Sequence, residues 1–272
     1  MPYRDVLAIF TSGKEAQVLR AAELAAGKTI GRVAALQVFE MPETIAGNAP
    51  EMLALWPQLL AQTRALAGEE KKKIERQLNG LELTHELQSM EAPRGLAGEW
   101  VAQRAMHADI SIMQTPRSDL SRAIFEGALF KSGRPLILAP SAWKGETLGE
   151  TVAIAWKPTR EAARAIADAA PFINAAKNVV LLTVDATSDG YGEGPGRDMA
   201  THLARDGARV EVRNISGQGR SVETAIVNEA KAIEADLLVL GGYGHGRLTE
   251  FVFGGVTRSL SRECPIPILM SH

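Results

Sequence analysis

Cysteine and aromatic residues are scarce, and their scarcity excludes several classes of site. The 272-residue chain has one cysteine, Cys264, so it can form neither an internal disulfide bond nor a metal site built from several cysteines. This cysteine usage is typical of a reducing compartment, and we expect a cytoplasmic protein. Aromatic residues make up 5% of the chain, too few for the stacking platforms that bind single-stranded nucleic acid.

The sequence also lacks a strong charge imbalance and long apolar runs. The formal net charge is −2, which gives no electrostatic reason to expect binding to nucleic acid or to an anionic membrane. No apolar run approaches the ~20 residues of a membrane-spanning helix. Residues 1–10 carry charges where a signal peptide would be apolar, which favours a first strand. The five histidines have no metal-ligand spacing, and we find no Ser, His and Asp arrangement of a nucleophilic enzyme.

Short apolar runs alternate with amphipathic stretches in the first half, and this pattern predicts alternating strands and helices. The predicted strands span residues 4–10, 32–39, 81–87, 107–113 and 134–139. Helices are predicted from the capping-box spacing of Ser12–Glu15 to residue 26, over 51–79 with a break at Pro57, and over 120–131.

The pattern then begins again, which indicates a tandem duplication. Residues 10–16 match 156–162, and residues 34–38 match 180–184, both at an offset of 146. The offset falls to 127 where residues 107–110 match 234–237. It rises to 132 where residues 135–138 match 267–270. The first copy therefore has 19 extra residues, assigned mostly to the helix at 51–79, and the second copy has five extra between its last two strands. We predict domains at 1–140 and 150–272, joined by a linker at 141–149.

Each copy is expected to be an α/β domain with a doubly wound, five-stranded parallel sheet of order 3-2-1-4-5 and flavodoxin-like layering. In such sheets ligands bind at the carboxyl ends of the strands where the winding reverses, here between strands one and four. In the second copy those two strands end at Trp156 and Gly241.

A glycine-rich loop follows the fourth strand of the second copy. The apolar run 237–240 leads through Gly241, Gly242, Gly244 and Gly246 into a helical pattern. A strand that opens through glycines onto a helix N-terminus is a typical anion site. The first copy has no glycine at the corresponding residues 114–118, so the predicted anion site belongs to the second copy alone.

The spacing of Gly241, Gly244 and Gly254 is G-x2-G-x9-G, and it resembles the universal stress protein family, whose ATP-binding members carry this motif followed by Ser or Thr. The resemblance covers nearly the whole chain as two tandem domains. It also rests on residues 235–236, 256–257 and 265–269.

The resemblance implies that the second domain binds an adenine nucleotide, ATP or AMP, with Mg²⁺ accompanying it. Val184 matches a position whose backbone meets adenine, and the glycines match the loop and helix N-terminus that contact phosphate. The full set of candidate residues is Ala155, Trp156, Lys157, Val184, Gly241, Gly244, His245, Gly246, Arg247, Gly254, Gly255, Val256 and Thr257.

Two positions depart from the family pattern. Lys157 stands where ATP-binding members have Asp, and Gly255 replaces the Ser or Thr after the third motif glycine. A lost hydroxyl hydrogen bond to a charged group weakens affinity by about ten-fold or more. Gly255 can still offer its backbone N–H to phosphate, whereas the location of Lys157 suggests the nucleoside end.

The sequence allows more than one role for several residues. Trp156 could stack on a base or cap the sheet edge, and His245 and Arg247 could contact phosphate or solvent. The loop 190–196 could be a lid or a simple connection. The chain as a whole could be a nucleotide-binding stress-response module, a scaffold acting through protein contacts, or a slow ATPase. The sequence supplies no general base or Mg²⁺-binding carboxylate beside the loop for the last of these.

Assembly follows from the sheet edges. In the family the resemblance points to, fifth strands pair across a dimer axis. Here the strands at 134–139 and 267–271 could pair within one chain and form a pseudo-dimer, which would cover two edges that otherwise invite aggregation. Further dimerisation of the whole chain is compatible with this arrangement.

Overall fold

The computed structural model describes residues 3–13, 15–27, 31–42, 50–186, 194, 196–242 and 264–272. Within these ranges no helix combines the length and the apolar character needed to cross a bilayer.

Strands and helices alternate through both halves of the chain. The first half contains β1 (Asp5–Phe10), α1 (Ala16–Ala26), β2 (Arg32–Glu40), α2 (Pro50–Leu78), β3 (Thr84–Ala92), α3 (Ala97–Ala105), β4 (Ile110–Gln114), α4 (Asp119–Lys131) and β5 (Leu136–Ala139). The second half contains β6 (Thr151–Ala155), α5 (Arg160–Asp168), α6 (Ala170–Ala175), β7 (Asn178–Val184), α7 (Arg197–Arg205), β8 (Val210–Ile215), α8 (Val222–Ala232), β9 (Leu237–Gly241) and β10 (Ile268–Ser271).

The ten strands within the described ranges form one sheet in the order β3-β2-β1-β4-β5-β10-β9-β6-β7-β8. Each half therefore has the order 3-2-1-4-5, and all pairings within a half are parallel. This confirms the predicted fold class. The halves meet through the antiparallel pair β5 and β10, with Ile268 opposite Leu138 and Met270 opposite Leu136. The pairing of the two fifth strands is the one expected from the sequence.

The repeat offsets hold for the strands themselves. Corresponding strands begin at Asp5 and Thr151, Arg32 and Asn178, Thr84 and Val210, Ile110 and Leu237, and Leu136 and Ile268. The offset is 146 for the first two pairs and 126 for the third, so the change in length falls between strands two and three. α2 has 29 residues where α7 has 9, and the extra residues of the first copy lie mainly in this helix, as predicted.

The central strands form because they are continuous apolar runs that suit burial on both faces. In β1 five consecutive residues, from Val6 to Phe10, are buried. Helices cover both faces, and the core divides into one apolar cluster on each side of the sheet. Each cluster contains residues from both halves of the chain, so the hydrophobic core continues across the junction of β5 and β10.

Three predicted boundaries were wrong. α2 runs without interruption through Pro57, because this residue is exposed and the loss of one backbone donor does not end a 29-residue helix. β3 spans Thr84–Ala92 instead of 81–87, because most residues of this edge strand are half-buried and give only a weak apolar pattern. α1 begins at Ala16, and its N-cap residue Glu15 makes no side-chain capping bond.

We predict that Leu269→Ala lowers the free energy of unfolding by about 2–5 kcal/mol, because this β10 side chain is fully buried beside the junction. The matched control is Leu66→Ala on α2, where the leucine is 69% exposed and the expected loss is below ~0.5 kcal/mol. Urea denaturation followed by circular dichroism measures both. Since each core cluster spans the two halves, we expect one transition, and separate transitions or equal losses in the two variants would contradict this account.

Candidate functional site

The candidate site is the crevice at the carboxyl ends of β6 and β9, where the winding of the second half reverses. β6 lies between β7 and β9, with Ala155 opposite Leu182 on one side and Leu240 on the other. The chain leaves β6 after Ala155 and leaves β9 after Gly241. Since carboxyl ends of parallel strands share one edge, the structure brings Ala155 and Gly241 together as the sequence predicted.

Packing requires glycine at position 241 and leaves little room for a side chain at position 242. A Cβ added to Gly241 would lie 2.5 Å from the amide nitrogen of Ala162, in the first turn of α5. A Cβ on Gly242 would lie 3.2 Å from a methyl group of Leu129 on α4, and the Gly242 N–H donates to the Ser271 carbonyl at 2.7 Å. The start of the glycine loop therefore sits in close contact with helices from both halves.

The loop between β6 and α5 forms one wall of the crevice. The backbone N–H of Trp156 donates to the backbone carbonyl of Leu182 at 2.8 Å. The half-buried indole ring packs against the apolar cluster that contains Val152 and Leu181. Lys157 is exposed. The packing gives Trp156 a structural reason for its place at the sheet edge, the second of its two sequence interpretations.

α5 begins beside this loop with a polar first turn. Its N-cap residue Thr159 accepts a hydrogen bond from the Ala162 N–H at 3.3 Å. Glu161 is buried, and its hydrogen bond with the Arg160 guanidinium lowers the pKa of its carboxyl group. Glu161 is thus an ionised, paired carboxylate at the edge of the crevice and is unsuited to proton transfer at neutral pH.

The end of β7 presents backbone groups to the same crevice. In a parallel strand the N–H and C=O of one residue point to the same side, and successive residues alternate. The Leu182 carbonyl accepts from Trp156 on the β6 side, whereas the Asp185 N–H donates to the Ile215 carbonyl on the β8 side at 3.0 Å. The N–H and C=O of Val184 are therefore directed to the β6 side, beyond the last residue of β6.

The remaining predicted site residues lie outside the described part of the chain. These are Gly244, His245, Gly246, Arg247, Gly254, Gly255, Val256 and Thr257. Most of the loop 190–196 also lies outside it. The structure thus brings together the five remaining predicted residues, which are Ala155, Trp156, Lys157, Val184 and Gly241.

The corresponding loop of the first half binds the protein's own carboxylates. Glu15 is buried and accepts hydrogen bonds from the N–H groups of Thr11, at 3.1 Å, and Ser12, at 2.9 Å. Burial raises the pKa of Glu15. The N–H of Gly13 donates to the carboxylate of Glu70 on α2. The backbone donors after β1 are therefore satisfied internally in the first half.

Sequence reasoning missed the role of the buried glutamates. Glu15 and Glu161 lie 146 residues apart, the offset of the first repeat match, and both are buried in the structure. The alignment of these two glutamates is the signal in the sequence, whereas the capping-box spacing indicates only a local role for Glu15.

The described residues contain no cluster of metal-ligating side chains, and their cysteine is not a thiolate. No group of three His, Cys, Asp or Glu side chains in these ranges could hold a metal ion. Cys264 is buried, and burial raises its pKa to about 11, so it is a neutral thiol at physiological pH. The crevice can recognise a ligand through backbone donors and acceptors.

The second half of the chain matches a known protein family. Residues 150–272 match the model of the universal stress protein family. A universal stress protein structure from Archaeoglobus fulgidus DSM 4304 is 17% identical, covers 98% of this chain and 97% of that chain, and superposes with a TM-score of 0.68. A universal stress protein described as putative, from Pseudomonas aeruginosa UCBPP-PA14, is 16% identical and covers 99% of this chain and 93% of that chain, with a TM-score of 0.57. No curated protein matches the sequence.

We predict that Gly241→Ala destabilises the protein by about 1–3 kcal/mol, because its methyl group would push β9 away from the first turn of α5. The control is Gly68→Ala on α2, where an added Cβ meets nothing within 4 Å. Alanine is the better helix former, so this control should be stabilised by up to about 1 kcal/mol. Thermal unfolding measures both variants, and changes of the same sign would contradict the packing argument.

Proposed function

Residues 150–272 carry a universal stress protein domain, and from this premise we propose that the second half of the chain binds an adenine nucleotide, ATP or AMP. The ligand would occupy the crevice between the carboxyl ends of β6 and β9. The observation that carries the proposal is the direction of the Val184 peptide groups, which point into the crevice whose other wall leads into the glycine loop.

The adenine ring would lie against Val184. Its backbone C=O can accept a hydrogen bond from the exocyclic amino group, and its N–H can donate to an adjacent ring nitrogen. This pair of groups suits adenine because the base presents a donor next to an acceptor on one edge. Trp156 and Lys157 lie at the same edge, with Lys157 in place of the aspartate of the family's ATP binders.

The phosphates would lie over the glycine loop and the helix start that follows it. Gly241, Gly244 and Gly246 would expose backbone N–H groups, and Gly254, Gly255 and Val256 would add those of the helix N-terminus. His245, Arg247 and Thr257 lie in the same sequence segment, and their side chains can contact an anion. A Mg²⁺ ion would accompany the phosphates, since this ion is commonly held by phosphate and water.

The first half would be a structural partner without a nucleotide. It has no glycine loop after β4, and the N–H groups of Thr11, Ser12 and Gly13 are already bound by Glu15 and Glu70. We therefore propose domains at 1–140 and 150–272 with one ligand site per chain, acting in a cytoplasmic stress response. Pairing of two whole chains into a homodimer is compatible with this arrangement.

A scaffold function is the alternative, and one observation favours it. Leu55, Leu59 and Leu66 on α2 are 49%, 41% and 69% exposed, which is unusual for leucines near one another on a helix. Hydrolysis of ATP has less support, because the carboxylate of Glu161 is paired with Arg160 and no other described residue has been identified as a base in the crevice. Mass spectrometry of the purified protein separates binding from scaffold functions by showing whether a nucleotide is retained.

We expect calorimetric titration with ATP to give a saturable heat from the wild-type protein. In the double variant Gly244→Val and Gly254→Val the Kd should rise by about ten-fold or more, because bulky side chains would block the backbone donors. The control is Thr115→Val, which alters the corresponding loop after β4 and should leave the Kd unchanged. Equal heats from wild type and the double variant, or no heat from either, would refute nucleotide binding at this loop.

A further inference from the structure

Asp185, the residue after β7, has a backbone conformation that non-glycine residues rarely adopt. Its φ angle is +45°, in the left-handed region. Non-glycine residues in this region are disfavoured, and they persist where the surrounding structure holds them. Aspartate tolerates this region better than most residues because its short side chain can bond locally. The strain lies next to Val184, the residue whose peptide groups point into the crevice.

The carboxylate of Asp185 fixes this conformation by binding the loop after β8. Its two oxygens accept the N–H of Gly217 at 3.0 and 3.1 Å. Gly217 is buried, and a Cβ at this position would lie 2.6 Å from Oδ2 of Asp185. A side chain at position 217 would displace the carboxylate of Asp185, so this hydrogen bond requires glycine at position 217.

Asn214 in β8 also binds the segment that surrounds Val184. Its Oδ1 accepts from the hydroxyl of Thr183 at 3.0 Å and from the N–H of Ala186 at 3.2 Å. Its Nδ2 donates to the carbonyl of Ala186 at 2.8 Å. Thr183, Asp185 and Ala186, which flank Val184, are thus all tied to β8 or its loop by side-chain hydrogen bonds.

Building on the proposed nucleotide function, we infer that Asp185 and Asn214 are positioning residues that set base selectivity by holding the Val184 peptide groups in register with the base. A backbone donor and acceptor can distinguish bases only when both are kept in a fixed direction. The strand holds Val184 on its amino side. On its carboxyl side the side-chain bonds of Asp185 and Asn214 reinforce the one backbone bond described there, from the Asp185 N–H to the Ile215 carbonyl.

Inosine triphosphate is the probe that isolates this role. Hypoxanthine carries a carbonyl in place of the amino group of adenine, and its adjacent ring nitrogen is protonated. The carbonyl of the base then faces the Val184 C=O, and the ring N–H faces the Val184 N–H, so that neither pair can form a hydrogen bond. The sugar and the phosphates are unchanged. Leaving such groups unpaired is how backbone-lined sites reject an analogue. The ratio of the two Kd values therefore reports the orientation of Val184, and the Kd for inosine triphosphate alone reports the rest of the site.

The experiment titrates ATP and inosine triphosphate into wild type, Asp185→Gly and Asp185→Asn. Glycine adopts the left-handed conformation without strain but lacks the carboxylate, so this variant should fold and lose the link to Gly217. Asparagine tolerates the same backbone angle and keeps an acceptor oxygen. We expect selectivity for ATP to fall about ten-fold in the glycine variant, with the Kd for inosine triphosphate unchanged, and to persist in the asparagine variant. Amide hydrogen exchange at Gly217 should accelerate in the glycine variant alone.

The outcomes separate the two proposals. If wild type binds ATP and all three proteins have the same selectivity, the positioning role of Asp185 is refuted while the nucleotide function stands. Equal loss of both nucleotides in the glycine variant also refutes it, since that result shows general damage to the site. If wild type binds neither nucleotide, the proposed function fails, and the role in base selectivity fails with it.

Discussion

The antiparallel pairing of β5 with β10 is the contact on which the rest of the molecule depends. It joins two five-stranded sheets into one and lets the apolar clusters on both faces continue from one half to the other. It also covers two strand edges that would otherwise offer unpaired backbone groups to other chains. Close to it, the His272 ring packs edge-on against Phe130 of α4 at 4.9 Å, and its Nδ1 lies 3.0 Å from the Gly242 carbonyl. The base of the glycine loop is therefore built partly by the first half.

The two halves have the same strand order but differ in the side chains near the loop that follows their first strand. In the first half α2 is long enough to bring Glu70 to the N–H of Gly13, and Glu15 binds the two preceding N–H groups. In the second half the corresponding helix α7 has only 9 residues, and the side chains at positions 157 and 158 are lysine and proline. The insertion in α2 thus accompanies the hydrogen bonding of the backbone N–H groups after β1 by the protein's own carboxylates.

Much of the fold was predictable because buried parallel strands leave a strong sequence signal. β1 and β9 each contain a continuous apolar run, and the repeat offsets located both the duplication and the inserted helix. β3 was misplaced because an edge strand with half-buried residues has no such signal. The crevice could also be located from strand order and glycines. The side-chain bonds of Asp185 and Asn214 could not, because they join residues about thirty positions apart through loop conformations that local sequence does not determine. The packing reason for Gly241 depends likewise on where α5 begins.

The reversal of direction at β5 and β10 separates the carboxyl strand ends of the two halves. Strands of the first half run opposite to those of the second, so the carboxyl ends of β1 and β4 emerge at one end of the sheet and those of β6 and β9 at the other. Arg64 on α2 contacts Glu91 near the end of β3, which places the preceding leucines Leu55 and Leu59 beyond the first of these ends. A macromolecule bound to those leucines and a small ligand in the crevice would be held on opposite sides of the protein. Neither would obstruct the other.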